Sequence, residues 1–123
     1  MAEDIRHLIK KDEVVDITTI GRKTGSARRI EIRLHALDQR LYITGRPGRP
    51  RSWYANMLAS PSFTLHLKRS LVRDVPCKAV PITEEETRRH LFQIMLSEEE
   101  SMAHVVVDEW ATVAPLVEVV PTE

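Results

Sequence analysis

The sequence predicts a mostly β, α+β fold, in which a small antiparallel barrel carries one short helix between strands and C-terminal helices packed on it. Three observations predict it. Alternating or β-branched apolar segments recur over the first two thirds, Gly and Pro separate them, and helical patterns concentrate near the C-terminus. With 123 residues, 42% of them hydrophobic, we expect one domain, 1–123, with a short N-terminal segment at 1–12.

The first three strands are predicted from side-chain type and alternation. Residues 14–20, VVDITTI, are rich in β-branched side chains. Residues 28–37 alternate, which indicates a half-buried antiparallel strand. The face expected to be buried carries Ile30, Ile32, Leu34 and Ala36. A turn at 38–40 then leads to a third strand at 41–44.

The middle of the chain predicts a loop, a short helix and two further strands. Two Gly and two Pro in GRPGRPR, residues 45–51, exclude regular structure. Ser52 is the predicted N-cap of a helix over 53–59. Residues 62–68 alternate again, and 71–80 form the next strand.

The C-terminal third predicts two helices and a closing strand. Thr83 and Glu86 match the capping-box pattern at the start of a helix. Its apolar stripe consists of Leu91, Phe92, Met95 and Leu96. A second helix is expected from about 98 to 110, and residues 114–120 form the final strand.

Charge is distributed unevenly along the chain. Nine of the eighteen Lys and Arg residues lie between Arg22 and Arg51, where Glu31 and Asp38 are the acids, although formal net charge is zero. Zero net charge gives no bulk attraction to nucleic acid, and we expect no nucleic-acid partner. The local cluster indicates either a small anionic ligand or a solvated basic face.

The stretch GRKTG, residues 21–25, is the first candidate binding element. It connects two predicted strands, so its backbone N–H groups lack ladder partners, and its glycines allow close approach to a ligand. Arg22, Lys23 and Thr24 add two cations and a hydroxyl, and Arg28 returns to the same place along the next strand. The pattern is typical of an anion-binding loop, and it fits an ordinary basic hairpin turn as well.

SWYANM, residues 52–57, is the second candidate. Trp53 and Tyr54 lie in the first turn of the predicted helix, where the helix dipole attracts anions. Either aromatic side chain could line a ring-binding pocket or anchor the core. Asn56, one turn later, could donate to a ligand or fix the preceding loop.

The remaining polar residues predict neither a metal site nor a protein-borne catalytic residue. The five His residues lack ligand spacing, and there is no G-x-S-x-G motif. An enzyme of this kind would rely on a cofactor for its chemistry. The lone Cys77 and the lack of an apolar run of about 20 residues predict a cytoplasmic protein with no membrane span.

TTIGRKTGSARR, LYITGRPG and RSWYANMLASP, at 18–29, 41–48 and 51–61, together resemble the deazaflavin (F420)-dependent nitroreductase family, also described as F420H2-dependent quinone reductases. The closing APLVEVVP is similar too, so the resemblance covers about residues 14–121. It implies an FMN-binding-like split β-barrel that binds coenzyme F420. It also implies hydride transfer from the reduced coenzyme to a quinone, a nitroaromatic or another activated small molecule.

The resemblance also implies positions for the coenzyme. It would place the phosphate and glutamate tail on Arg22, Lys23, Thr24 and Arg28. Thr44, Gly45 and Arg46 would lie along the coenzyme, and Trp53 with Asn56 near its ring end. The expected partner is a small-molecule electron acceptor.

Three alternatives stay open from the sequence. The same barrel and cationic loop fit FMN as the cofactor. The protein could also bind a flavin or deazaflavin without catalysis. A homodimer is left open because split barrels often form dimers.

Overall fold

The structure is a computed structural model that describes residues 4–47, 51–96 and 103–122. In chain order its elements are α1 Ile5–Leu8, β1 Glu13–Ile20, β2 Ala27–Leu37, β3 Arg40–Thr44, α2 Ser52–Ala59, β4 Ser62–Lys68, β5 Val72–Pro81, α3 Glu85–Met95, α4 Ala103–Val113 and β6 Leu116–Pro121. All six strands were predicted, with ends that differ by one or two residues. The predicted start of the second C-terminal helix, 98–102, lies outside the described residues.

The strands form one closed antiparallel barrel in the order β1-β2-β3-β6-β5-β4. β1 and β2 form a long ribbon, in which Glu13 pairs with Leu34 and Ile20 with Ala27. The last strand, β6, lies between β3 and β5 and closes the barrel. The predicted antiparallel barrel is therefore confirmed.

Two hydrophobic clusters stabilise this architecture. Inward-facing strand residues fill the barrel, and Ile5 of α1 and Ile9 after it join this cluster. The second cluster packs α3 and α4 on the outside of β3 and β6. On β3, Leu41 and Ile43 belong to the first cluster and Tyr42 to the second, because that strand is covered on both faces.

The predicted apolar face of β2 is buried only in part. Leu34 is fully buried, but Ile30 is 40% exposed. β2 pairs with β3 only over His35–Leu37, so the start of β2 has a neighbouring strand, β1, on one side only. Alternation gave the side-chain directions correctly, but the burial expected for Ile30 was wrong.

Both predicted helix caps were also wrong. Ser52 is the first helical residue of α2, and Arg51 occupies the N-cap position. α3 begins at Glu85, with Glu84 at the N-cap, so Thr83 lies one residue before the cap. The Glu84 carboxylate accepts a 2.8 Å hydrogen bond from the Thr87 hydroxyl instead of capping a backbone N–H.

Candidate active site

The turn between β1 and β2 has a fixed backbone. The N–H of Gly21 donates to the carbonyl of Ser26, and the N–H of Gly25 donates to the carbonyl of Gly21, each at 2.8 Å. Gly25 has φ 70°, a left-handed conformation that favours glycine. A Cβ on Gly21 would lie 2.7 Å from Oγ1 of Thr24, so a side chain at this position would displace Thr24.

Asn56 of α2 attaches this turn to the barrel. Its Oδ1 accepts a 3.0 Å hydrogen bond from the N–H of Arg22, and its Nδ2 donates a 3.1 Å hydrogen bond to Oγ1 of Thr19. Both Asn56 and Thr19 are buried. The amide therefore fixes the β1–β2 turn, not the loop at 45–51 that precedes the helix. A coenzyme contact for Asn56 stays a prediction.

The turn and the start of α2 enclose a cleft of about 180 Å³, called here the cationic cleft. It is lined by Gly21, Arg22, Lys23, Thr24, Arg28, Ser52 and Asn56. The structure thus brings together the four tail-binding residues predicted from the sequence and adds Ser52. Ser52 was predicted only as a cap, although a hydroxyl at a helix start beside a basic loop is itself a signal for anion binding.

The cations of the cationic cleft are unpaired. In the described part of the chain, no carboxylate lies within ion-pair distance of Arg22, Lys23 or Arg28, and no acidic residue lines the cleft. All three side chains are exposed. Their charge is available to an anion, because no protein carboxylate neutralises it.

The nearby acidic residues lie in a separate network on the ribbon. Lys68 donates to Oδ1 of Asp16 at 2.7 Å and to Oε2 of Glu31 at 2.5 Å, while Arg29 donates to Oδ2 of Asp16 at 3.0 Å. The bonds from Lys68 and Arg29 lower the pKa of Asp16, and the two carboxylates raise the pKa of Lys68. Glu31 is therefore directed to Lys68 and does not line the cleft.

The segment predicted to lie along the coenzyme makes contacts within the protein. The hydroxyl of Thr44 donates a 2.5 Å hydrogen bond to the carbonyl of Pro115. Arg51 lies over Gly45, where a Cβ would be 3.2 Å from its Nε, and donates a 3.3 Å hydrogen bond to the carbonyl of Arg46. Arg46 is exposed. A coenzyme contact for these three residues stays a prediction.

The two aromatic residues of α2 have different environments. Trp53 is 6% exposed and belongs to the cluster inside the barrel, as its core-anchor interpretation required. Tyr54 packs edge-on against it, with ring centroids 5.8 Å apart, and is half-buried. Tyr54 also lines a second cavity, so it is the aromatic side chain that a ligand there would meet. A coenzyme contact for Trp53 stays a prediction.

This second cavity, called here the Arg51 cavity, has a volume of about 370 Å³. It lies among α2, the connection after β5, and the end of α4. Its lining residues are Arg51, Tyr54, Ile82, Thr83, Arg88, Thr112, Val113, Ala114 and Pro115. Apart from Tyr54, none of them was predicted to line a pocket, because they come from four separate segments of the chain.

Arg88 forms one wall of the Arg51 cavity and is itself buried, at 7% exposure. Its guanidinium donates to the carbonyls of Ile82 and Ala111 at 2.7 Å, to that of Trp110 at 3.1 Å, and to that of Ala114. Burial lowers the pKa of Arg88. The burial of Arg88 is indicated in the sequence by its position three residues before Leu91, which places it on the apolar stripe of α3.

The first turn of α2 separates the two cavities. Ser52 and Asn56 line the cationic cleft, and Arg51 and Tyr54 line the Arg51 cavity. The two cavities therefore lie on either side of the N-terminus of α2. That N-terminus adds partial positive charge between them.

The described residues contain no group of three or more His, Cys, Asp or Glu side chains placed to hold a metal ion. No helix among them is both long enough and apolar enough to span a lipid bilayer.

The sequence profile of the F420H(2)-dependent quinone reductase family matches residues 2–113. No functionally curated protein matches the sequence.

Solved structures share the fold. An F420-H2 dependent reductase (FDR-A) is 22% identical, with TM-score 0.60 over 86% of this chain and 92% of that chain. A protein described as a domain-swapped dimer is also 22% identical, with TM-score 0.60 over 92% and 83%. A Listeria innocua protein provisionally named a pyridoxamine 5′-phosphate oxidase is 10% identical, with TM-score 0.67 over 97% and 89%. These similarities confirm the FMN-binding-like split β-barrel predicted from the sequence.

Proposed function

The chain belongs to the F420H(2)-dependent quinone reductase family, and from that premise we propose that its cationic cleft holds the anionic tail of coenzyme F420. It is an F420-dependent oxidoreductase, with F420 as its cofactor. The proposal concerns the residues that bind the coenzyme and the nature of the acceptor. We propose a quinone, a nitroaromatic or another activated small molecule as acceptor.

The observation that carries the proposal is the unpaired charge of the cationic cleft. Arg22, Lys23 and Arg28 approach one cleft from two sides of a turn, with no carboxylate among the lining residues. Guanidinium groups form strong, directional hydrogen bonds with phosphate and carboxylate oxygens, which are the groups in the coenzyme tail. Thr24 and Ser52 supply hydroxyl donors for the same oxygens. The residues present therefore fit the coenzyme.

The proposed role of the protein is binding and orientation. When bound, reduced F420 supplies the hydride, and the acceptor takes this hydride together with a proton. The first turn of α2 would hold the site for the coenzyme tail and the Arg51 cavity in fixed relation to each other. Tyr54 and Thr83 contribute side-chain hydroxyl groups to the lining of the Arg51 cavity. We propose that the proton comes from solvent there.

We also propose a homodimer. One structural neighbour is described as a domain-swapped dimer. The β2–β3 ladder covers only His35–Leu37, so within the described strands the start of β2 has a free edge that a second copy could pair with. Light scattering after size-exclusion chromatography distinguishes a 14.1 kDa monomer from a species of twice that mass.

The coenzyme site is tested by fluorescence titration with F420, using FMN as the comparison ligand. We expect the wild type to prefer F420, and the double variant Arg22→Ala/Lys23→Ala to lose affinity by about a hundredfold, since two charge-assisted contacts are removed. Arg69→Ala is the matched control, because Arg69 is exposed in the β4–β5 connection.

Three results would count against the proposal. Preference for FMN would identify a flavin-binding protein, and binding of neither ligand would leave the loop as an ordinary basic turn. An affinity for F420 that the double variant leaves unchanged would place the coenzyme tail elsewhere.

A further inference from the structure

The Arg51 cavity contains an arginine whose hydrogen-bonding capacity is largely unused. Nε of Arg51 is buried and has no hydrogen-bond partner, and its one hydrogen bond among the described residues is the 3.3 Å contact with the carbonyl of Arg46. No carboxylate pairs with it there. A buried N–H without an acceptor is unfavourable, so this resting position over Gly45 is a poor one for the guanidinium.

The surroundings of Arg51 favour negative charge. No acidic residue lines the cavity, and Arg88 adds a second guanidinium to its wall. The carbonyls at the end of α4 offset part of the charge of Arg88, because a helix C-terminus carries partial negative charge. Arg51 has no comparable set of carbonyls and keeps its charge available to a ligand.

The rest of the cavity suits a flat, conjugated molecule. Tyr54, Ile82, Val113 and Pro115 supply apolar surface, and the volume of about 370 Å³ lies in the range of small-molecule sites. The cavity therefore combines a surface for a ring with a cation that can form two parallel hydrogen bonds with a carboxylate.

We propose that Arg51 is the specificity-determining residue for the electron acceptor, and that the preferred acceptors are conjugated ring compounds bearing a carboxylate. On binding, the guanidinium leaves Gly45 and turns into the cavity to meet the carboxylate. The cationic cleft remains occupied by the coenzyme tail, so the two anions are held on opposite sides of the first turn of α2. This inference rests on the proposed function, and deepens it by naming the class of acceptor.

The test compares 1,4-naphthoquinone-2-carboxylate with its neutral methyl ester as acceptors for reduced F420. We expect the wild type to have a KM about tenfold or more lower for the carboxylate, because a charged hydrogen-bonded pair is gained. Arg51→Met should raise KM for the carboxylate by about the same factor and change KM for the ester much less, so that the preference for the carboxylate is lost. Arg51→Lys should restore part of the preference, and Arg69→Met is the control for net charge.

A second measurement does not depend on turnover. Calorimetric titration of the free and the F420-loaded protein with 2-naphthoate and its methyl ester gives the charge preference of the cavity directly. Preference for 2-naphthoate that disappears in Arg51→Met, with F420 affinity unchanged, supports the inference.

Other outcomes overturn it. If Arg51→Met has the same preference for the carboxylate over the ester as the wild type, Arg51 does not select the acceptor. If Arg51→Met loses F420 affinity, Arg51 binds the coenzyme instead. Failure of the wild type to bind F420 would instead count against the proposed function, and the naphthoate titration of the free protein would still decide the role of Arg51.

Discussion

The backbone N–H of Arg22 and Oδ1 of Asn56 are 3.0 Å apart, although 34 positions separate the two residues in the chain. This hydrogen bond joins the β1–β2 turn to α2. Through it, the segments GRKTG and SWYANM form adjacent walls of one cleft.

Replacing Asn56 with Ala should weaken both stability and coenzyme binding. The change leaves the N–H of Arg22 and the hydroxyl of Thr19 without their partner, and we expect unfolding free energy to fall by about 1–3 kcal/mol. F420 affinity should fall because the loop loses its attachment to α2. Gln93→Ala, at an exposed position on α3, is the control. Urea denaturation and F420 titration measure the two effects, and a variant with normal affinity would show that the loop is positioned by its own hydrogen bonds.

The two glycines of the turn should respond differently to replacement by Ala. Gly25 has positive φ but open space around its Cβ position, so Gly25→Ala should cost about 1–2 kcal/mol of backbone strain. Gly21→Ala should reduce F420 affinity more, because the new Cβ would lie 2.7 Å from Oγ1 of Thr24 and would displace that side chain. The F420 affinity and the melting temperature of both variants show whether Gly21→Ala weakens binding more than Gly25→Ala does. Equal losses of affinity would mean that the position of Thr24 is unimportant for binding.

Acid stability should depend on Asp4, the N-cap of α1. Two hydrogen-bonding groups of Arg6 lower the pKa of Asp4 from 3.8 to about 2. A carboxyl group with a lowered pKa stabilises the fold above its unfolded pKa, and this contribution disappears as pH falls from about 4 to about 2. Because Asp4 and Arg6 are partly exposed, we expect their pairing to contribute less than about 1 kcal/mol to the free energy of unfolding.

Asp4→Asn isolates the charge, since Asn caps helices as well as Asp does. The difference in unfolding free energy between wild type and Asp4→Asn should be largest near neutral pH and should vanish near pH 2. Urea denaturation at a series of pH values measures it. A difference that does not change with pH would show that the cap, and not the charge, accounts for the effect.

Much of the barrel could be predicted because alternation is a local property. Residues 62–68 alternate in the sequence, Phe63, Leu65 and Leu67 lie in the cluster inside the barrel, and the predicted bounds of β4 match the observed ones. The error at Ile30 has a non-local cause. Alternation gives the direction of a side chain, but its burial depends on how much of the chain packs around it, and the start of β2 has a neighbouring strand on one side only.

The candidate site was predictable where one short segment supplies several groups. GRKTG contributes Arg22, Lys23 and Thr24 to the cationic cleft from consecutive positions. The Arg51 cavity could not be predicted in this way, because Arg51, Arg88 and Pro115 meet only after the barrel closes and the C-terminal helices pack on it. The predicted N-caps of α2 and α3 were wrong for a related reason. Ser52 and Thr83 each fit a capping pattern in the sequence, but neither occupies the N-cap position in the structure.

We expect substitution of Arg88 to lower the free energy of unfolding more than any of the other substitutions. Replacing it with Met removes the hydrogen bonds that its guanidinium donates to the carbonyls of Ile82, Ala111, Trp110 and Ala114, so we expect the free energy of unfolding to fall by about 3 kcal/mol or more. The adjacent Arg89 is the matched control: it pairs with Glu85 and Asp108 at the surface, and Arg89→Met should cost less than about 1 kcal/mol. Arg88→Lys should recover part of the stability, because an ammonium group can reach some of the same carbonyls. Thermal and urea denaturation of the three variants give the comparison. Equal losses for Arg88→Met and Arg89→Met would mean that water replaces the guanidinium at the end of α4.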